Sequence, residues 1–233
     1  MVPTRNVDCG EVYERKRREL LELLRSLSEN ELRAIVPATP EWSVRDVLAH
    51  VVGVAADLNA GNFGGHDDPD GWTGAQVRVR RDASIADLAA EWDREAPTFE
   101  EGLRLFGYEI GSHYVGDLLQ HSGDVRHALN RARPADDEGL VVALHFYLSS
   151  FEQALASAGV GAVEISAADE HWTLGLGETV ASITAERYEL FRCLGGRRSE
   201  AQVRALQWEG DVNTILPVVS RYPLQQNPII EAA

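Results

Sequence analysis

The sequence predicts an α+β fold, with a helical bundle over residues 1–160 and a smaller α/β module over residues 161–233. Two observations carry that expectation. Before Gly161, apolar residues recur at helical spacing in several long segments joined by short or medium connections. After Gly161, the pattern changes to strand-like alternation. With 233 residues the chain can form one large or two modest domains with real hydrophobic cores, and it contains no internal repeat.

The first helix is expected over residues 10–29, where Val12, Leu20, Leu23, Leu24 and Leu27 form a stripe opposite charged residues. Two prolines in "VPATPEW" end that segment. Ser43 followed by Asp46 resembles a capping box, so the next helix should start near Val44 and run through Val47, Leu48, Val51, Val52 and Val54. "NAGNFGGHDDPDGW" then reads as a long loop around residues 60–74, a length often associated with function or mobility. Ser84 caps a helix over "IADLAAEWDREAPTFEEGLRLF", with a kink or break expected at Pro97. Helices are expected over residues 112–131 and 137–159, the latter closed by Gly159. Farther on, "AVEISAAD" and "HWTLGLG" read as a strand pair turning at "ADE". "TVASITAERYELFRCLGG" reads as a helix, "SEAQVRALQWEGD" as a short helix or strand, and the last dozen residues as an extended tail.

The composition excludes several functions. A net charge of −15 would repel a nucleic-acid backbone or an anionic membrane, so an anionic small molecule would need a local basic pocket. The two cysteines, Cys9 and Cys193, cannot form a disulfide framework and neither sits in a metal-type cysteine motif. The N-terminal stretch has no secretory pattern and no apolar run approaches the length of a membrane span. A reduced, cytoplasmic chain is expected.

The chemistry-bearing residues lie in "WSVRDVLAH" and "DLLQHSGDVRHAL". Asp117 and His121 are four residues apart, so a helix presents both on one face, one turn apart. His50 ends a strongly apolar helix and should face the bundle interior beside Val47 and Val51, or the mouth of the bundle. One carboxylate and two imidazoles form a three-ligand set for zinc or another divalent metal, leaving the open position typical of catalytic sites. Asp124, on the same stripe, could accept the other ring N–H of His121. His127 falls on a different face and is expected in solvent. Spacing alone is met equally well by a salt link on a solvated face. His113, His145 and His171 show no ligand pattern. His66, in the acid-rich "GGHDDPDGW", could bind a cation, cover a site or simply belong to a polar loop.

Taken in order, "TPEWSVRDVLAH" and "DLLQHSGDVRHAL" resemble the mycothiol-dependent maleylpyruvate isomerase family, a branch of the DinB-like metal-binding bundles. In that family a Trp-initiated helix delivers one histidine, and a later acid-x-x-x-His-x-x-Asp helix delivers the other two ligands. By motif position His50 matches the first ligand, and Asp117 and His121 match the pair. "SAADEHWTLGLGETVASITAERYELFRCLGGRRSEAQVRAL" resembles the family's C-terminal domain in its strand pair, G-x-G turn, helix and Gly-Arg stop. The resemblance thus spans most of the chain. Asp117 stands where the family often has Glu, one methylene longer. For the family's C-terminal arginine implicated in catalysis, Arg221 in "VVSRYP" is the nearest match, and pairing with a local acid is the ordinary alternative.

The resemblance implies a DinB-like four-helix bundle holding a divalent metal, zinc foremost, and using mycothiol as cofactor. The thiol would then come from outside the chain, as an isomerase or S-transferase acting on a small electrophile requires. In the isomerase case thiolate adds to an electrophilic carbon and leaves after bond rotation, while arginines neutralise a substrate carboxylate. The implied partners are a small-molecule substrate and a low-molecular-weight thiol, with the chain a monomer or homodimer. Two other readings stay open: a metal-dependent hydrolase of the same fold, and a non-catalytic ligand-binding module with a vestigial site.

Overall fold

A computed structural model describes residues 6–64 and 69–232, so His66 and the centre of the expected 60–74 loop lie outside the described residues. The described chain forms two compact units, Asn6–Arg133 (with Ala232) and Pro134–Glu231. The fold is α+β.

In the first unit the long helices α1 (Cys9–Arg25), α3 (Val44–Asn59), α5 (Ile85–Phe106) and α6 (Tyr108–Ala128) pack as a four-helix bundle, with α2 (Glu29–Leu32) and α4 (Pro69–Val79) between them. Leu20 and Leu24 of the expected α1 stripe are buried together with Tyr13 and Leu21, whereas Leu23 and Leu27 lie at the stripe's edge. Tyr13 meets the edges of Trp92 and Phe99 on α5, with ring centroids 6.5 and 5.0 Å away. Beside them Arg17 donates to Glu100 at 2.9 Å and to Asp93 at 2.7 Å, so the charge buried between α1 and α5 is paired. Leu48, Val52, Leu88, Trp92, Val115, Leu119 and Val125 are fully buried or nearly so and build the rest of the core.

The capping box at the start of α3 is present as expected, with Asp46 accepting from Ser43 N at 2.9 Å. Three helices differ from the sequence reading. Helix α4 begins inside the stretch read as a loop, with Pro69 at the first helical position, where a missing N–H is harmless. Helix α5 continues through Pro97 without a break. Buried Trp92, Ala96, Phe99 and Leu103 on both sides of the proline hold it to the core, which offsets the one lost hydrogen bond. Helix α6 starts at Tyr108, before the expected residue 112, separated from α5 by Gly107 at φ 82°.

The second unit begins with α7 (Glu138–Ala158), capped by Asp137 and closed by left-handed Gly159. The sequence reading ended the bundle after residue 160. The compact units instead divide at Arg133/Pro134, because α7 packs on α8 (Arg187–Leu194) and on the sheet. That sheet comprises β1 (Ala162–Ala167), β2 (Glu170–Leu174), β3 (Thr179–Thr184) and β4 (Gln207–Gly210) in the order β2-β1-β3-β4, with β1 and β3 parallel and the other pairs antiparallel. Val163, Leu174 and Ala181 align in one cross-strand row and Ile165, Trp172 and Ile183 in another, all buried. The segment "TVASITAERYELFRCLGG" is therefore strand β3 followed by α8, not one helix. Its alternating Ala181 and Ile183 complete the buried rows.

The link from β2 to β3 must cross the start of β1. At Gly175, φ is 89° and a Cβ would lie 2.3 Å from the Gly161 carbonyl oxygen, so only glycine allows that crossing. "SEAQVRALQWEGD" contains both expected alternatives, helix α9 (Glu200–Arg204) and strand β4. A short helix α10 (Val212–Ile215) follows. The tail is docked: Ile229 is buried and hydrogen-bonds through both N and O to the Gln202 side chain.

Candidate metal centre

Three side chains expected to converge do so within the bundle. His50 comes from α3, and Asp117 and His121 from α6, and one potential ligand atom from each lies within 4.8 Å of the other two. His50 Nε2 is 3.8 Å from Asp117 Oδ2, and His121 Nε2 is 3.6 Å from Asp117 Oδ1. Donors held at zinc-type bond lengths in a tetrahedron are about 3.4 Å apart, so a small inward movement brings this nitrogen–oxygen–nitrogen set to a divalent cation. The set fits such a cation and could hold it.

Both histidines are buried, while the Asp117 side chain keeps 28% of its surface exposed, so the cluster opens toward solvent on the carboxylate side. Trp42, just before α3, lies against both imidazoles, with ring centroids 5.0 Å from His50 and 6.1 Å from His121. The two imidazoles meet edge to face at 4.9 Å. Outer partners face the remaining ring nitrogens. His121 Nδ1 has Asp124 Oδ2 at 3.4 Å, and Asp124 is fully buried. His50 Nδ1 lies 2.8 Å from Gln76 Oε1 of α4, and Gln76 Nε2 donates to Asp57 Oδ2 at 2.9 Å. Burial, and after it the Asp117 charge, pushes the hydroxyls of Tyr13 and Tyr114 up from the usual phenol range, so both remain protonated beside the cluster.

The other candidates lie elsewhere. His127 is half-buried with a buried Nδ1, not in solvent, because the last turn of α6 is partly covered. His113 stacks on Tyr114, and His171 shares a 2.9 Å hydrogen bond with Ser166. His145, in the second unit, is buried 3.5 Å from Glu170 Oε1 and edge-on to Trp172. Arg221, also in the second unit, donates to Ser150 Oγ at 3.0 Å and lies over Phe146 and Tyr222 at 5.2 and 5.8 Å. Cys9 and Cys193 are both buried, and burial pushes the Cys193 thiol up to about 12.

Sequence reasoning found the three inner residues and Asp124 but missed Trp42 as a wall and Gln76 and Asp57 as outer partners. The tryptophan was visible in "PEW". Gln76 could have been found only by reading Pro69 as a helix start.

Residues 13–109 match the family model described as the mycothiol maleylpyruvate isomerase N-terminal domain, a span that includes His50 and ends before Asp117. Among solved structures, the crystal structure of a mutant mycothiol-dependent maleylpyruvate isomerase matches at 13% identity and a TM-score of 0.48. It covers 81% of this chain and 88% of that one. No curated protein matches this chain.

Proposed function

We propose, from the match of residues 13–109 to the model of the mycothiol maleylpyruvate isomerase N-terminal domain, that the protein is a metal-dependent, mycothiol-using isomerase or S-transferase. Its substrate is a small electrophile that can carry a carboxylate. His50, Asp117 and His121 hold the divalent ion, with zinc the first candidate, and the protein works in the cytoplasm. The observation that carries this reading is the approach of three donor atoms from two helices to within 4.8 Å, with a further polar side chain facing each imidazole from outside.

When bound, the metal supplies Lewis acidity that favours the ionised form of a thiol at neutral pH. Asp117 supplies the negative charge of the ligand set, and its exposed edge leaves one side for substrate to approach. Trp42 covers the imidazoles and limits water on that side. Asp124 Oδ2, 3.4 Å from His121 Nδ1, stands where a small shift would let it accept that N–H and orient the ring. The chain's own thiols are poor nucleophiles: both are buried, and the Cys193 thiol is pushed up to about 12. This supports an external thiol. Arg221, in the second unit, is the nearest match by position to the family's C-terminal arginine. Its guanidinium is steadied by a hydroxyl and two aromatic rings and has no acidic partner within salt-bridge distance among the described residues.

Elemental analysis and turnover of an electrophile with and without mycothiol test the reading. The wild type is expected to carry near-stoichiometric metal, which His50→Ala and His121→Ala lose, and to turn over only with the thiol. Turnover indifferent to the thiol would replace this reading with the hydrolase. A wild type that takes up no divalent ion would leave a ligand-binding module.

A further inference from the structure

We propose that Gln76 is a positioning residue for the metal centre: clamped by Asp57, it fixes His50 as the Nδ1–H tautomer and aims its Nε2 lone pair at Asp117 and His121. The inference rests on the metal reading above and adds to it a helix, α4, that supplies no ligand.

The hydrogen-bond chain has only one consistent direction. The Asp57 carboxylate only accepts, so the Gln76 group facing it at 2.9 Å must be the amide NH₂. The amide oxygen is then the atom 2.8 Å from His50 Nδ1, and an oxygen there requires Nδ1 to carry the proton. The reverse amide orientation would set oxygen against carboxylate at one end. With Nδ1 protonated, the lone pair of neutral His50 sits on Nε2, the nitrogen 3.8 Å from Asp117 Oδ2. His121 has no such clamp: Asp124 Oδ2 lies 3.4 Å from its Nδ1 without a hydrogen bond to that nitrogen, and its Nε2 is 3.6 Å from Asp117 Oδ1.

Packing keeps Gln76 in place. It is buried, with 2% of its surface exposed, so water does not compete for its amide. Opposite it on α3 stands Gly53, where a Cβ would lie 2.5 Å from Gln76 Cβ and 2.7 Å from Gln76 Cγ. Those are the inner atoms of the glutamine, which cannot swing aside as a side-chain tip can. Gly53 therefore makes the space in which Gln76 reaches His50. Arg80, one turn after Gln76, donates to the Gln76 carbonyl at 3.2 Å and to Glu91 at 2.6 Å, tying this part of α4 to α5.

The test compares Gln76→Leu and Gln76→Glu with the wild type, each checked for folding by circular dichroism. Two readouts are used: zinc affinity by chelator competition, and the tautomer of His50 from ¹⁵N ring shifts in metal-free protein. The wild type should show the Nδ1–H form. Gln76→Leu should lose that preference and bind zinc about 10- to 100-fold more weakly, the usual effect of removing an outer partner. Gln76→Glu keeps an acceptor on Nδ1 and should recover the tautomer, but it sets a second carboxylate against Asp57, so most of the affinity should return only when it is combined with Asp57→Asn, which restores a donor there. If Gln76→Leu binds zinc as tightly as the wild type, or wild-type His50 carries its proton on Nε2, the assignment of Gln76 is overturned and the metal centre stands. If the folded wild type takes up no zinc, both are overturned.

Discussion

One methyl group is enough to disturb the candidate site. At Gly53 a Cβ would meet Gln76 Cβ and Cγ at 2.5 and 2.7 Å and Arg80 Nη1 at 2.9 Å. Gly53→Ala should therefore destabilise the first unit by about 1–3 kcal/mol, the cost of overpacking a filled contact, and should weaken zinc binding because Gln76 must retreat from His50. Urea unfolding and chelator competition measure the two effects. Unchanged stability would mean that α4 shifts freely away from α3. The contrast with Asp124 explains what could be read from sequence at this scale. Asp124 lies three residues after His121 on the same helix, so spacing alone places it near the ring. Gln76 is 26 residues from His50 and 19 from Asp57. A single amide bond between helices leaves no periodic trace, and α4 begins within a stretch whose Gly, Asp and Asn content spoke for a loop. His50, Asp117 and His121 were legible only because two motifs matched a family; their spacing fits a salt link equally well.

Helix ends set where these side chains stand, and they were the most legible elements. Ser43 with Asp46 and Ser84 with Asp87 follow the capping-box pattern, and both form it. Ser43→Ala should cost about 1 kcal/mol by freeing the first turn of the helix that carries His50, measured as a lower urea midpoint. The cap of α5 has a pH signature. The Ser84 hydroxyl and N–H hold the Asp87 carboxyl below its usual range, so the native state favours the ionised form. That contribution is complete above the ordinary carboxylate value and disappears as pH falls through the depressed one. The stability deficit of Ser84→Ala should accordingly be largest near neutrality and shrink in acid; a deficit constant with pH would remove Asp87 from the cap. Elements fixed by distant partners were harder to read. Strand β3 joins a helix-like run because Ala181 and Ile183 pair with Val163 and Ile165 of β1, a contact that local propensity does not encode. Helix α5 runs through Pro97 because its neighbours on both sides are buried against the bundle.

For the whole molecule, the sequence is acidic and its basic residues are all arginine except Lys16, and the structure buries several of those arginines. Arg17 is paired inside the bundle, and Arg192 and Arg198 are buried in the second unit. The latter two converge on Glu231, which accepts from Arg192 at 2.9 Å, from Arg198 at 2.7 Å and from the Tyr188 hydroxyl at 3.1 Å. The carboxylate is 6% exposed, so the extended tail expected from the sequence carries an internal counter-ion at Glu231. A short polar segment ending in "IIEAA" carries no signal of this, because its partners lie more than thirty residues earlier, inside and just after α8. Removing the carboxylate leaves two guanidiniums in a poorly solvated space, with Glu189 still beside Arg198. Glu231→Ala should therefore cost about 3 kcal/mol, the low end for breaking a buried ion pair. Glu231→Gln should cost less, since an amide oxygen still accepts from one arginine or from Tyr188. Burial keeps that tyrosine protonated and able to donate. Urea unfolding of the full chain compares the two variants. Equal losses would mean that the side chain acts by filling space and not by its charge, and a loss within 0.5 kcal/mol of zero, the range of an ordinary surface change, would mean that the tail is not anchored through Glu231 at all.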